Sequence, residues 1–112
     1  MADGRDLIEQ TRQIIMDLSA KTGDLEGAYP EATLEELKSY LEEADKWVKL
    51  CRKKVWLRGL EGTEKAEACL DTANKLQESL DKPGVAVEAA ADLAGKLESL
   101  ARLIATKSQV LT

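Results

Sequence analysis

Two cysteines and two adjacent pairs of glutamates are the side chains of this 112-residue chain whose types and spacing could do chemistry. Cys51 and Cys69 lie 18 positions apart and form no Cys-x-x-Cys motif, so they predict neither a zinc site nor a redox pair. A disulfide is conceivable if their helices pair antiparallel. Buried, reduced thiols are the preferred interpretation, because the polar N-terminus shows no secretory signal.

The glutamate pairs Glu35–Glu36 and Glu42–Glu43 could in principle hold a hard cation. They fall on outward helix positions, where carboxylates are normally solvated, so we expect no metal site. The chain also contains no histidine. Its absence removes the usual general base, the histidine-activated nucleophiles and most zinc sites, and no glycine-rich phosphate loop is present. We therefore expect a protein that is not an enzyme and has no cofactor.

Four segments carry apolar residues at alternating spacings of three and four, which predicts helices over residues 4–21, 33–58, 63–80 and 85–108. Turn-rich sequence separates them, above all in the connection 22–32. Thr33 and Thr63 are the predicted N-cap residues of the second and third helices. The pattern predicts an all-α fold, a single-domain antiparallel four-helix bundle over residues 1–112.

Aromatic residues make up only 4% of the chain and Phe is absent, so the core must be built from Leu, Ile, Val and Ala. Gly95 and the alanines of the fourth helix are expected to let a neighbouring helix come close. Tyr29, in the first connection, is either an exposed contact point or, as we prefer, a residue packed onto the end of the bundle.

Positive charge is concentrated in residues 46–60, which hold six Lys or Arg residues and no acid in a chain of net charge −5. Helix polarity explains much of it, because the second helix is acidic in its first half and basic in its second. We expect the helical pairs Glu42–Lys46 and Asp45–Lys49. The acidic starts of the first and third helices are expected to flank the basic half.

The apolar residues within this basic segment are harder to explain. Leu50 and Leu57 fall opposite the buried stripe of the second helix, among lysines and beside two tryptophans, which is the composition expected where a partner docks. We predict that this outer face binds a partner through seven residues: Lys46, Trp47, Leu50, Lys53, Lys54, Trp56 and Leu57.

The chain itself could also cover this face. The connection 22–32 could fold over it, or the second helix could lie centrally in the fold. Single exposed leucines are also ordinary in folded proteins.

The predicted function is that of an adaptor, regulator or inhibitor whose partner is another protein, with an acidic or amphipathic helix or a second copy of this chain fitting best. A membrane or nucleic-acid surface is the alternative, disfavoured by the net negative charge. A purely structural, self-assembling bundle is another. A cytoplasmic location is the default expectation.

Overall fold

The computed structural model describes the backbone of residues 4–53 and 60–111 and the side chains of residues 6–51 and 64–105. Four α-helices pack against each other around one apolar core, which confirms the predicted all-α four-helix bundle. A short 3₁₀ helix, Thr22–Leu25, follows the first of them. The α-helices are α1 (Gly4–Lys21), α2 (Glu31–Lys53), α3 (Leu60–Glu78) and α4 (Pro83–Leu111).

The prediction that Thr33 caps α2 is wrong, because the helix begins two residues earlier, at Glu31. The backbone N–H of Leu34 donates a 2.9 Å hydrogen bond to the carbonyl oxygen of Pro30. Pro30 therefore occupies the capping position, where its missing N–H costs nothing. The carboxylate of Glu31 in the first turn suits the positive end of the helix dipole.

The starts of α3 and α4 also precede the predicted positions. Thr63 lies inside α3, which begins at Leu60, so it is not the N-cap. Leu60 and Glu61 are both good helix formers and extend the helix toward the N-terminus. In α4, Pro83 is the first helical residue, a position that its fixed φ angle favours. The predicted end of the second helix, at residue 58, lies outside the described residues.

Consecutive helices α2 and α3 stand at opposite corners of the bundle. Each of them packs on α1 and on α4, and within the described ranges no Cα atom of α2 lies within 8 Å of one in α3. The order around the bundle is therefore α1, α2, α4, α3. The expectation that the acidic start of α3 flanks the basic half of α2 is wrong for the described residues, because α4 occupies that side.

Two contacts and one short turn fix the directions of the helices. The hydroxyl of Tyr29 donates a hydrogen bond to the carbonyl oxygen of Leu80, which places the start of α2 beside the start of α4. The thiol of Cys51 lies 3.7 Å from the carbonyl oxygen of Leu97, farther along both helices, so α2 and α4 run parallel. Because a turn of only four residues, 79–82, joins α3 to α4, these two helices form an antiparallel hairpin.

The apolar residues of α2 that recur at spacings of three and four form the buried stripe of this helix, and they lie in the core. Alanines from α3 and α4 line the same core, but the expected role of Gly95 is wrong. Gly95 is exposed, and a Cβ atom built on it would meet no atom within 4 Å, so this glycine faces open space rather than a neighbouring helix. The buried members of the α2 stripe are Leu34, Leu37, Leu41, Ala44, Val48 and Cys51.

The first connection packs onto the end of the bundle. Tyr29 is buried and its hydroxyl lies 2.6 Å from the carbonyl oxygen of Leu80, which confirms the preferred interpretation of this residue. Leu25 packs against the same core. Gly27 has a φ angle of 93°, a left-handed conformation that glycine adopts without strain. The connection is thus anchored at the end where α2 begins, away from Leu50 near the other end of the helix.

Candidate functional site

The exposed side of α2 opposite the core is the surface that the sequence singled out, and we call it the α2 outer face. Its exposed residues recur along the helix at alternating spacings of four and three, so they form one straight row. The described members of the row are Ala32, Glu36, Ser39, Glu43, Lys46 and Leu50.

Leu50 is the apolar residue of this row that stands out. Its side chain is 41% exposed, whereas the α2 stripe facing the core is buried. Neither the first connection nor the neighbouring helices cover it. Isolated exposed leucines are common, so the significance of Leu50 depends on what lies beside it.

Trp47 lies beside the α2 outer face, on the side toward α4. The indole is partly buried and packs against the core. The ammonium nitrogen of Lys46 lies 5.1 Å from the ring centroid, and the guanidinium carbon of Arg102 in α4 lies 5.8 Å from it. Both distances are within the range in which a cation is attracted to an aromatic ring. The tryptophan is thereby held between the core and two basic side chains.

Of the two ion pairs predicted for this segment, one forms and the other does not. Lys49 and Asp45 form the expected pair, with the ammonium nitrogen 3.0 Å from a carboxylate oxygen. The expected pair of Glu42 with Lys46 is wrong, because among the described side chains Lys46 makes its contact with Trp47 instead. The long aliphatic stem of a lysine packs well on an indole, while an exposed ion pair contributes little.

Three of the seven predicted binding residues are described in full, and the structure brings them together. Lys46 and Leu50 are exposed on the α2 outer face, and Trp47 flanks them. Lys53 is the last residue of α2 whose backbone the structure describes, and its side chain lies outside the described residues. Three others fall entirely outside the described residues: Lys54, Trp56 and Leu57.

Arg102 is the residue of this surface that sequence reasoning missed. It belongs to α4, and its guanidinium nitrogen Nε donates a 3.1 Å hydrogen bond to a carboxylate oxygen of Glu98, one turn earlier. The spacing of Glu98 and Arg102 indicates that helical pair. Nothing in the sequence indicates that α4 lies beside α2, so the contact of Arg102 with Trp47 could not be predicted from it.

The two cysteines have no role at this surface. Both thiols are free and buried, as the preferred interpretation held. No Cα atom of α2 lies within 8 Å of one in α3 among the described residues. The Cα atoms of Cys51 and Cys69 are therefore too far apart for a disulfide. Burial raises the pKa of both thiols to about 12, which keeps them protonated and unreactive near neutral pH.

A cleft between the end of α1 and the first half of α2 encloses about 160 Å³, below the roughly 300 Å³ typical of small-molecule sites. The cleft is lined by Ser19, Thr22, Lys38, Leu41 and Glu42.

Within residues 4–53 and 60–111, no helix has the length and apolar character needed to cross a bilayer.

Comparisons of the chain with protein-family models, with curated proteins and with solved structures found no match.

Proposed function

We propose that this chain is a non-enzymatic helical interaction module, an adaptor, regulator or inhibitor, that binds another protein through the α2 outer face. The observation that supports the proposal is the exposure of Leu50, 41%, next to Trp47 and its two cations. An exposed apolar side chain beside an aromatic ring and basic groups is typical of a docking surface.

The parts of this surface have separate roles in the proposed binding. Covering Leu50 and the exposed part of Trp47 removes apolar area from water, which contributes most of the affinity. Lys46 forms no ion pair with a described residue, so its charge is available to a partner. It orients an approaching acidic group and raises the association rate more than the final affinity.

The partner that fits this surface is an amphipathic helix with acidic flanks. A row of exposed residues along a helix accepts a second helix lengthwise, with apolar anchors meeting Leu50 and carboxylates meeting Lys46. A cytosolic setting suits the proposal, because free thiols persist in a reducing compartment.

Binding of a synthetic amphipathic peptide, with leucines on one face and glutamates beside them, tests this proposal. The readout is the fluorescence anisotropy of the dye-labelled peptide, so that all seven predicted binding residues stay unsubstituted in the reference chain. We expect Leu50→Ser to weaken binding by about tenfold, the effect of losing one partly exposed leucine anchor. Met16→Ser is the matched control, because Met16 is 43% exposed on a different helix.

Two results would count against the proposal. One is equal peptide binding by the Leu50→Ser and Met16→Ser variants, with helical circular dichroism unchanged in both. The other is binding to anionic vesicles or DNA that disappears near physiological salt, without peptide binding, which would favour contact with an anionic surface.

A further inference from the structure

We propose that the α2 outer face pairs with the same face of a second copy of this chain, with the two α2 helices antiparallel about a twofold axis at the level of Ala44 and Asp45. This inference rests on the proposed function, since it names the partner that the face binds. The acidic helix that suits the basic half of α2 is the first half of α2 itself.

The spacing of the exposed row is the first support. Positions that recur every four and three residues form the straight seam along which two helices pair lengthwise. Ala32 to Leu50 follow this spacing without interruption, and each member of the row is exposed. Lys53, the last backbone position that the structure describes in α2, is the next member of the same series.

The distribution of charge along the row is the second support. Acidic residues occupy its first half and basic residues its second. In the antiparallel arrangement Glu43 meets Lys46 of the second copy, and Glu36 is level with Lys53. Each contact occurs twice, because a twofold axis makes the interface self-complementary. The two glutamates of the row are therefore matched by its two lysines, without any other partner.

Leu50, the large apolar residue of the row, also has a suitable neighbour in this arrangement. Leu50 lies level with Ser39 of the second copy, so a large side chain meets a small one. This pairing covers Leu50, the exposed leucine that the fold leaves uncovered, and lets the two helices approach closely.

Charge excludes a parallel arrangement of the same two helices. In a parallel pair, identical positions face each other, so Glu43 meets Glu43 and Lys46 meets Lys46. Like charges placed together at an interface repel and select against that register. The charge pattern of α2 thus specifies direction as well as partner.

The exposed face of α3 is the competing acidic surface for the basic half of α2. It is almost uniformly acidic, with Lys75 as its exposed base among the described residues, so it gives the acidic half of α2 no partner. Pairing through α3 would therefore match the basic half of α2 and not its acidic half. Its exposed acids are Glu64, Glu67, Asp71 and Glu78.

The size of the contact predicts a reversible dimer. The described part of α2 has 23 residues and is therefore about 35 Å long. One helix pair of this length, with several charged contacts, belongs to the small end of specific interfaces. Because exposed ion pairs are screened by salt, the dimer is expected to weaken as ionic strength rises.

Charge reversal at the central pair tests the arrangement by sedimentation velocity of the full chain over a range of concentrations. Lys46→Glu and Glu43→Lys each replace two attractive contacts by two repulsive ones, and each is expected to weaken self-association by about tenfold or more. Mixing the two variants should restore association as a heterodimer. The double variant Glu43→Lys/Lys46→Glu should restore the homodimer. Lys75→Glu, with the same change of net charge on α3, should leave association unchanged.

Each remaining outcome overturns the antiparallel dimer. A chain that stays monomeric at every concentration has no such interface, and if its peptide binding still depends on Leu50, the proposed function stands without the dimer. Self-association that is weakened by Lys46→Glu but not by Glu43→Lys indicates contact with the acidic face of α3 instead. A mixture of the two single variants that forms no heterodimer contradicts the pairing of Glu43 with Lys46, provided that circular dichroism shows both variants folded.

Discussion

The phenolic oxygen of Tyr29 lies 2.6 Å from the carbonyl oxygen of Leu80, and this hydrogen bond joins two turns of the chain that are 51 residues apart. Tyr29 closes the connection between α1 and α2, while Leu80 belongs to the turn between α3 and α4. The bond therefore fastens together the end of the bundle at which α2 and α4 begin.

Removing this hydroxyl should destabilise the bundle. Tyr29→Phe keeps the buried ring but leaves the carbonyl oxygen of Leu80 without its donor, at a cost of about 1 kcal/mol in the free energy of unfolding. Urea denaturation measures the change. Tyr40→Phe is the matched control, because the structure shows no hydrogen bond from the Tyr40 hydroxyl to a described residue, and equal effects of the two substitutions would contradict the role of the bond.

Gly95 should be a site of easy stabilisation. A glycine in the interior of an exposed helix costs about 1 kcal/mol relative to alanine, and a Cβ atom at this position meets nothing within 4 Å. Gly95→Ala should therefore raise the melting temperature by several degrees. Gly27→Ala should lower it, because the φ angle of 93° at Gly27 strains an L-residue. An unchanged or lower melting temperature for Gly95→Ala would show that this glycine serves a contact.

Stability should decline at alkaline pH because of the two buried thiols. Burial raises the pKa of Cys51 and Cys69 in the folded chain to about 12 from 9.0, so their contribution is fully present below pH 9.0 and is lost as the pH rises toward 12. The unfolded chain ionises first, and each thiol lowers the free energy of unfolding by up to about 1.4 kcal/mol per pH unit in that window.

Urea midpoints between pH 8 and pH 10 measure this decline. Cys69→Ala should roughly halve the part of the slope that the thiols cause, while lysines and tyrosines contribute equally to both proteins. A slope identical to that of the unsubstituted chain would contradict the assignment.

A hydrogen bond between α3 and α4 should contribute more to the free energy of unfolding than a side-chain hydrogen bond within a single helix. The ammonium nitrogen of Lys96 donates a 2.7 Å hydrogen bond to the hydroxyl of Thr72, which itself donates to the carbonyl oxygen of Ala68. Thr72→Val keeps the shape but removes both bonds, so it should cost about 1 kcal/mol. Thr11→Val is the control, because the Thr11 hydroxyl donates only to Leu7 in its own helix, a bond that adds little. Denaturation curves that rank the two variants in the opposite order would refute the argument.

The existence of the four helices and the buried stripe of α2 were readable from the sequence, because both depend on local periodicity. Residues from Leu34 to Cys51 repeat at helical spacing, and burial follows directly from that repeat. The outward position of Leu50 follows from the same arithmetic. Helix starts were predicted less well, since Pro30 and Pro83 initiate helices through backbone geometry that outweighs the more familiar threonine caps.

Relationships between helices could not be read in this way. The sequence does not encode locally that α2 neighbours α4 rather than α3, so the contact of Arg102 with Trp47 and the open space at Gly95 were not predictable. Each depends on which helix faces are brought together by packing over the whole chain. The charge pattern of the α2 outer face can be read from the sequence. Its interpretation as an interface also requires that every described residue of the row is exposed, which the structure shows.

The diagonal placement of α2 and α3 divides the chain into complementary halves. The segments α1–α2 and α3–α4 meet along two helix pairs, α1 with α3 and α2 with α4, so each segment supplies the apolar surface that the other lacks. Neither half has a complete interior by itself. Expressed as separate polypeptides divided within residues 54–59, the two halves should recombine into the native bundle, in the manner of fragment complementation, whereas either half alone should remain largely unfolded.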